Sequence, residues 1–262
     1  MIRLIASDID GTLLQNGATS LPEELFPLIR KLRERGIAFC AASGRQYSSL
    51  RRLFAPVADE IYYICENGAA VYDMGSEERL LGKTVMDRKL AEQLAGEIMA
   101  RPECEVLICG ANTSYLCPKE EEIVVTLRDF VGNHVVLLPD AAHVPEDIIK
   151  VSAYSKPDTE LVEKEMAPRW REHFQVAVAG KEWLDFTLAD KGTGIRTVCS
   201  ALHIAPEDVM AFGDNFNDIP MLKQVGHPVL MSGAHPRLRE QFPIQAGNVP
   251  EILKTLLANQ SS

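Results

Sequence analysis

The run Ile2-Arg3-Leu4-Ile5-Ala6 and the acidic turn that follows Ser7, Asp8-Ile9-Asp10-Gly11-Thr12, decide the fold. A short apolar segment broken at once by two carboxylates and a glycine reads as a strand ending in a loop. Outward from it, Pro22 to Arg35 places Leu25, Leu28, Ile29 and Leu32 at helical spacing, with Pro22 near the first turn and Gly36 as a stop. Ile37 to Ala42 is a second apolar run, Gln46 to Phe54 is helix-like, and Ile61 to Ile64 is a third run. Strand, helix, strand, helix, strand in this order predicts parallel pairing through right-handed crossovers.

The far end of the chain repeats the rhythm. Thr193 to Leu202 reads as a helix, Val209 to Phe212 as a strand, Pro220 to Val225 as a short helix, Val229 to Met231 as a strand and Val249 to Leu257 as a closing helix. The middle differs: Lys89 to Met99 and Glu120 to Phe130 are helical, and Val106 to Cys117 resembles a hairpin around Gly110-Ala111-Asn112. Ile148 to Tyr154 is a strand, Leu161 to Trp170 a helix, and Val176 to Val178 with Leu184 to Leu188 are strands. The expectation is an α/β protein with a doubly wound, mostly parallel sheet and an inserted α+β domain. Residues 1–81 and 186–262 form the core and 82–185 the insert. No repeat or low-complexity segment appears, and Ser261-Ser262 reads as a frayed end.

A length of 262 residues suffices for one large domain or two coupled ones. An apolar fraction of 46% and a charged fraction of 24% are ordinary for a globular protein and exclude wholesale disorder. The net charge of −10 repels nucleic-acid backbones, so nucleic acid is not an expected partner, whereas a small anionic substrate in a site of opposite local sign is compatible. The six cysteines show neither a CxxC pair nor zinc-like spacing with histidine; Cys40 and Cys65 read as small apolar residues in strands. The chain starts on a strand-like run rather than a signal peptide, and no apolar run approaches the roughly 20 residues that span a bilayer. The expectation is a cytoplasmic protein with no membrane partner.

Four segments carry chemistry. Asp8 and Asp10, two apart on a turn eased by Gly11, suit a hard cation such as magnesium, and one can act as nucleophile while the other handles a proton. An Asp-Gly turn at a strand end is the plainer reading. Ser43-Gly44-Arg45 brings a hydroxyl and free N–H groups to a helix start, either a phosphate cradle or a plain N-cap. Gly213-Asp214-Asn215-Phe216-Asn217-Asp218 crowds oxygen-bearing groups at another strand end, which is costly without a cation. Lys191-Gly192 sets a lysine at a helix N-terminus, where the dipole disfavours it, so either an anion lies close by or the lysine is solvated.

Together these four elements, in this order at successive strand ends, resemble the haloacid dehalogenase superfamily. The insert resembles the large α+β cap (type C2B) of its Cof-type phosphatases, and the segment Asn67-Gly68-Ala69 after Glu66 is similar to one found at this point of the core in that subfamily. The resemblance implies a magnesium-dependent phosphatase of small phosphate monoesters, sugar phosphates or similar metabolites, with an aspartyl-phosphate intermediate. Asp8 is then the nucleophile and a metal ligand. Asp10 is the acid and base and binds the metal through its carbonyl. Asp214 is the second carboxylate ligand, and Asp218 orients the metal's waters. Ser43, Gly44, Lys191 and Asn217 hold phosphoryl oxygens, and Thr12 orients Asp10. Arg45 reaches the substrate or pairs with an acid, and Asn67 is a possible substrate contact.

One departure stands out: Phe186 to Asp190 leads straight into Lys191, where relatives often carry a longer Pro-x-Gly loop. In the insert no basic cluster or aromatic pair declares a substrate; Asp185 and Trp183, with Glu66 and Asn67 of the core, are the nearest candidates, and strand-edge packing explains Trp183 equally well. A phosphomutase shares the same motifs. A phosphorylatable receiver-like signalling domain also uses aspartate, magnesium and lysine on a doubly wound sheet, but it should lack a base such as Asp10.

Overall fold

The computed structural model describes residues 1–155, 159–179 and 181–259; the expected frayed end at Ser261-Ser262 lies outside them. In chain order the strands are β1 (Leu4–Ser7), β2 (Ala38–Ala42), β3 (Tyr62–Cys65), β4 (Ala70–Tyr72) and β5 (Leu80–Lys83). Then come β6 (Glu105–Cys109), β7 (Ser114–Leu116), β8 (Val135–Leu137), β9 (Lys150–Tyr154), β10 (Gln175–Ala179) and β11 (Trp183–Thr187). β12 (Val209–Gly213), β13 (His227–Met231) and β14 (Gln245–Ala246) complete the set. They form two sheets, ordered β14-β13-β12-β1-β2-β3-β4-β5 and β10-β11-β9-β6-β7-β8. The chain folds as two compact units, one of residues 1–45, 50–82 and 190 onward, the other of 46–49 and 83–189.

In the first unit every pairing from β14 across to β3 is parallel. From β1 the chain steps outward to β2 and β3 on one side; later it steps from β12 to β13 and β14 on the other. Strand order therefore reverses between β1 and β12, and loops leaving the carboxyl ends there diverge to leave a crevice. Asp8 directly follows β1 and Asp214 directly follows β12. All four residues of β1 are buried, as a central parallel strand covered on both faces requires. Leu4, Ala6, Cys40, Ile64, Ile195, Val198 and Val209 share one apolar cluster. The helix Leu25–Glu34 buries Leu25, Leu28, Ile29 and Leu32, the stripe its spacing predicts. β4 returns antiparallel to β3. The sequence gives no sign of β4 and β5, because strands of three and four residues are too short to establish a period.

The second unit is built on antiparallel pairs: β6 with β7 and β9, and β11 with β9 and β10. Alternate residues Val106, Ile108, Val151, Ala153, Leu184 and Phe186 share an apolar cluster with Leu94, Ile98, Val162, Met166 and Trp170 of the helices Arg88–Met99 and Thr159–Trp170. The intervening residues Lys150, Ser152, Asp185 and Thr187 occupy the other face of the sheet. The helix expected over Glu120 to Phe130 is α-helical over Glu121–Val125 and then widens into π turns over Thr126–Val131. Gly132, at φ 83°, ends it in the left-handed conformation glycine favours. All six cysteines are buried. Among the described residues no helix is long and apolar enough to cross a membrane.

Candidate active site

The turn after β1 is tied by Ile9, whose carbonyl accepts from the N–H groups of Leu13 at 2.9 Å and Leu14 at 2.8 Å. Gly11 sits at φ 96°, and a Cβ there would collide with the Asp214 carboxylate. The glycine is therefore demanded twice, by its backbone and by the approach of a second strand end. The Thr12 hydroxyl donates to Asp214 Oδ1 at 3.1 Å. Thr12, expected to orient Asp10, serves Asp214 instead, because β12 lies beside β1.

Lys191 opens the helix Lys191–Leu202, capped by the Asp190 side chain, which accepts from the Thr193 N–H at 2.7 Å. The lysine is fully buried, so the solvated alternative does not hold. Its Nζ donates to Asp8 Oδ1 and, at 2.6 Å, to Asp218 Oδ1. Asp218 Oδ2 accepts from the N–H groups of Asp214 at 2.9 Å and Asn215 at 3.0 Å. Both Asp218 oxygens are thus occupied: the residue anchors Lys191 and closes its own loop through a capping box with Asn215.

Oxygens of Asp8, Asp214 and Asp218 lie within 4.8 Å of one another. Among the described residues three carboxylates face one ammonium, and Asp8 Oδ2 is buried with no hydrogen-bond partner. Burial pushes the Asp8 carboxyl up to about 8, against the pull of the Lys191 ammonium and with the help of the Asp218 charge. Burial, and then the Asp218 charge, also raises Asp214. Lys191 is held above its ordinary value because Asp218 and Asp8 outweigh the cost of burying it. This is a pocket of hard oxygen donors with surplus negative charge, the donor chemistry of a small divalent cation.

A second group of polar residues comes from the ends of β2 and β3 and the loop after β12. Ser43 is buried; its N–H donates to the Ile64 carbonyl at 2.9 Å, and its Oγ accepts from the Arg45 N–H at 3.2 Å. The Ser43 carbonyl accepts from Asn67 N–H at 2.9 Å, and the Arg45 carbonyl from Glu66 N–H at 3.1 Å. The Asn67 amide lies against Gly44, and the Asn217 amide donates to Asn67 Oδ1 at 3.3 Å. Glu66, Asn67 and Gly68 have φ of 49°, 53° and 101°, three left-handed residues in a row. A Cβ at Gly68 would strike the Asp190 carbonyl, so this strained loop seats the start of the Lys191 helix. Sequence reasoning missed that seat; Asn67-Gly68, separated from the end of β3 by Glu66, was its sign.

Asp10 stands apart from the acidic cluster. Its carboxylate is 57% exposed and accepts from Arg45 Nε at 2.9 Å and Nη2 at 2.7 Å. Of the two uses open to Arg45, the structure displays pairing with an acid. In the second unit, Asp185 accepts from the Ser152 hydroxyl at 2.7 Å and pairs with Lys150 at 3.8 Å, and the Trp183 ring packs on Tyr154 at 4.7 Å.

A family model described as haloacid dehalogenase-like hydrolase matches residues 5–251. The chain belongs to that family and is an enzyme of the hydrolase class, as the four strand-end motifs lead one to expect. The 5-amino-6-(5-phospho-D-ribitylamino)uracil phosphatase YbjI of Escherichia coli (strain K12) is 28% identical over 247 residues, covering 89% of this chain and 86% of that protein. An HMP-PP phosphatase of Serratia proteamaculans (strain 568) is 28% identical over 257 residues, covering 93% of this chain and 88% of that one. Among solved structures, a Eubacterium rectale protein matches with a TM-score of 0.86 at 29% identity, over 97% of this chain and 99% of its own. The HAD subclass IIB sugar phosphatase BT4131 matches with a TM-score of 0.79 at 20% identity, over 97% and 98%, a likeness of fold.

Proposed function

We propose that this chain is a magnesium-dependent phosphatase that hydrolyses small phosphate monoesters through an aspartyl-phosphate on Asp8. The observation that carries the reading is Asp8 itself: buried, bonded to Lys191 through Oδ1, and left with an unpartnered Oδ2 beside Asp214. Magnesium would be held by Asp8, Asp214 and the Asp10 carbonyl, where it would neutralise the surplus charge and polarise the phosphoryl oxygens. Asp218, with both oxygens spent, keeps Lys191 and the loop in place. It can orient the ion's waters only through those same oxygens.

The remaining chemistry belongs to the chain's own residues. Lys191, Ser43, the Gly44 N–H and Asn217 hold the phosphoryl oxygens, as preorganised donors aimed at developing charge. An Asp8 oxygen attacks phosphorus; the bond to the alcohol breaks, and Asp10 protonates the departing oxygen. Asp10 then takes a proton from water, whose oxygen attacks phosphorus, frees Asp8 and releases inorganic phosphate. Asn67 steadies the cradle beside Gly44. The second unit serves as the cap and the first as the catalytic core; the borders expected from the sequence, 82–185 for the insert with 1–81 and 186–262 for the core, differ from those of the compact units, in which 46–49 and 186–189 go with the second. The partner is a small phosphorylated metabolite; the names of the relatives, a phosphoribitylamino-uracil phosphatase among them, support that class.

Purified protein, magnesium and a panel of phosphorylated metabolites test the proposal. Asp8→Asn is expected to abolish phosphate release and covalent capture of labelled phosphate. Asp10→Asn is expected to slow the first step and let phosphoenzyme accumulate. Equal residual activity in the two variants would overturn the roles given to them. Phosphate transfer within a labelled sugar bisphosphate, without net release, would assign a phosphomutase instead.

A further inference from the structure

We propose that Arg45 is the positioning residue for Asp10, fixing the orientation of the carboxylate that handles the leaving-group and water protons. The inference rests on the role given to Asp10 above.

The pairing is a fork, with Nε donating to Oδ2 at 2.9 Å and Nη2 to Oδ1 at 2.7 Å. Two parallel bonds fix both the position and the plane of a carboxylate, which a single point charge cannot do. Among the described residues, the hydrogen bonds to the Asp10 carboxylate come from Arg45. Without them a carboxylate on a turn, 57% exposed, would sample several rotamers. The residue expected from the sequence to do this work, Thr12, is committed to Asp214.

Arg45 is also well placed to impose an orientation. Its N–H bonds to Ser43 Oγ at 3.2 Å, and its carbonyl accepts from the Glu66 N–H at 3.1 Å. The left-handed run from Glu66 to Gly68 holds that second contact, so the fork is anchored on the ends of β2 and β3. The turn that carries Asp10 hangs instead from β1 and β12. Arg45 thus registers two halves of the first unit against each other at the proton-handling group. Two of the five guanidinium N–H donors are spent on Asp10. Direct contact of the others with substrate is the rival role.

A double-mutant cycle separates the two, using magnesium-loaded protein with para-nitrophenyl phosphate and a sugar phosphate as substrates. Arg45→Ala is expected to lower kcat about 10- to 100-fold while KM changes by less than about threefold. Arg45→Lys should recover part of that loss. In an Asp10→Asn background, Arg45→Ala should cost almost nothing further, because the residue acts through Asp10. A loss that multiplies in that background, or a rise in KM at constant kcat, would overturn the proposal and assign Arg45 to the substrate. If Arg45→Ala fails to fold, the same cycle with Arg45→Lys decides by the same coupling. If Asp10→Asn alone leaves turnover intact, the role of Asp10 fails first. A crippled Asp10→Asn with multiplying Arg45 losses sinks only the role of Arg45.

Discussion

Two buried groups of charge, one in each unit, are built from the same residue types. In the first unit Lys191 meets Asp8 and Asp218, Asp214 stands beside them, and one Asp8 oxygen has no partner. In the second, Lys150 meets Asp185, and the Ser152 hydroxyl satisfies Asp185 at 2.7 Å. Among the described residues the second group sets one acid against one lysine, and strand register accounts for the hydroxyl contact, since Ser152 lies opposite Asp185 on paired strands. The first carries surplus negative charge in a place where burial makes each uncompensated ion costly. Such an arrangement is costly unless something positive offsets it. The imbalance, and not burial of charge as such, singles out the first group as the candidate site.

Lys191→Met should break that contrast most severely. It leaves two buried carboxylates facing each other, so a loss of about 3–5 kcal/mol in urea unfolding of the metal-free protein is expected. Phosphatase activity should fall by at least about 10²-fold. Survival at wild-type stability would mean that the lysine does not hold the acids.

Metal and pH sharpen the comparison next. The Asp8 carboxyl is raised from 3.8 to about 8, so the folded state binds its proton more tightly than the unfolded chain. That contribution is complete below the unfolded value and is lost as pH rises through about 8, so metal-free stability should decline across this window. Magnesium competes with the proton, and its effect on Tm should therefore grow from about pH 5 to about pH 8. An equal shift at both pH values, or none, would remove the cation from the cluster.

The smallest effect belongs to the balanced group. Asp185→Asn keeps an oxygen for the Ser152 hydroxyl and loses only a pairing at 3.8 Å, so about 1–2 kcal/mol is expected. A loss as large as that of Lys191→Met would erase the difference between the two groups.

Much of this was legible in the sequence. The stripe Leu25, Leu28, Ile29, Leu32, the apolar run before Asp8 and the Gly11 turn each depend on neighbours a few residues away; the stripe and the turn are found as read, and the strand runs over Leu4–Ser7 rather than Ile2 to Ala6. The acidic residues after β12 and the lysine at a helix start also stood out, because both are costly unless satisfied. Their partners did not. Lys191 and Asp8 are 183 residues apart, Thr12 and Asp214 are 202 apart, and Arg45 and Asp10 are 35 apart. No local pattern could say that Thr12 would serve Asp214, or that Arg45 would take up Asp10.

The sequence by itself determined where the longer strands and helices lie and which residue types stand at their ends, because period, capping and glycine conformation act over one or two turns of chain; the short strands β4, β5, β8 and β14 escaped it. The tertiary structure decided which of those ends meet. The reversal of strand order between β1 and β12 brings three acids and one lysine to a single place, with Asp8, Asp218 and Lys191 buried and Asp214 at its edge. Charge balance there is a property of the assembled group, and so it exists only once the sheet has formed.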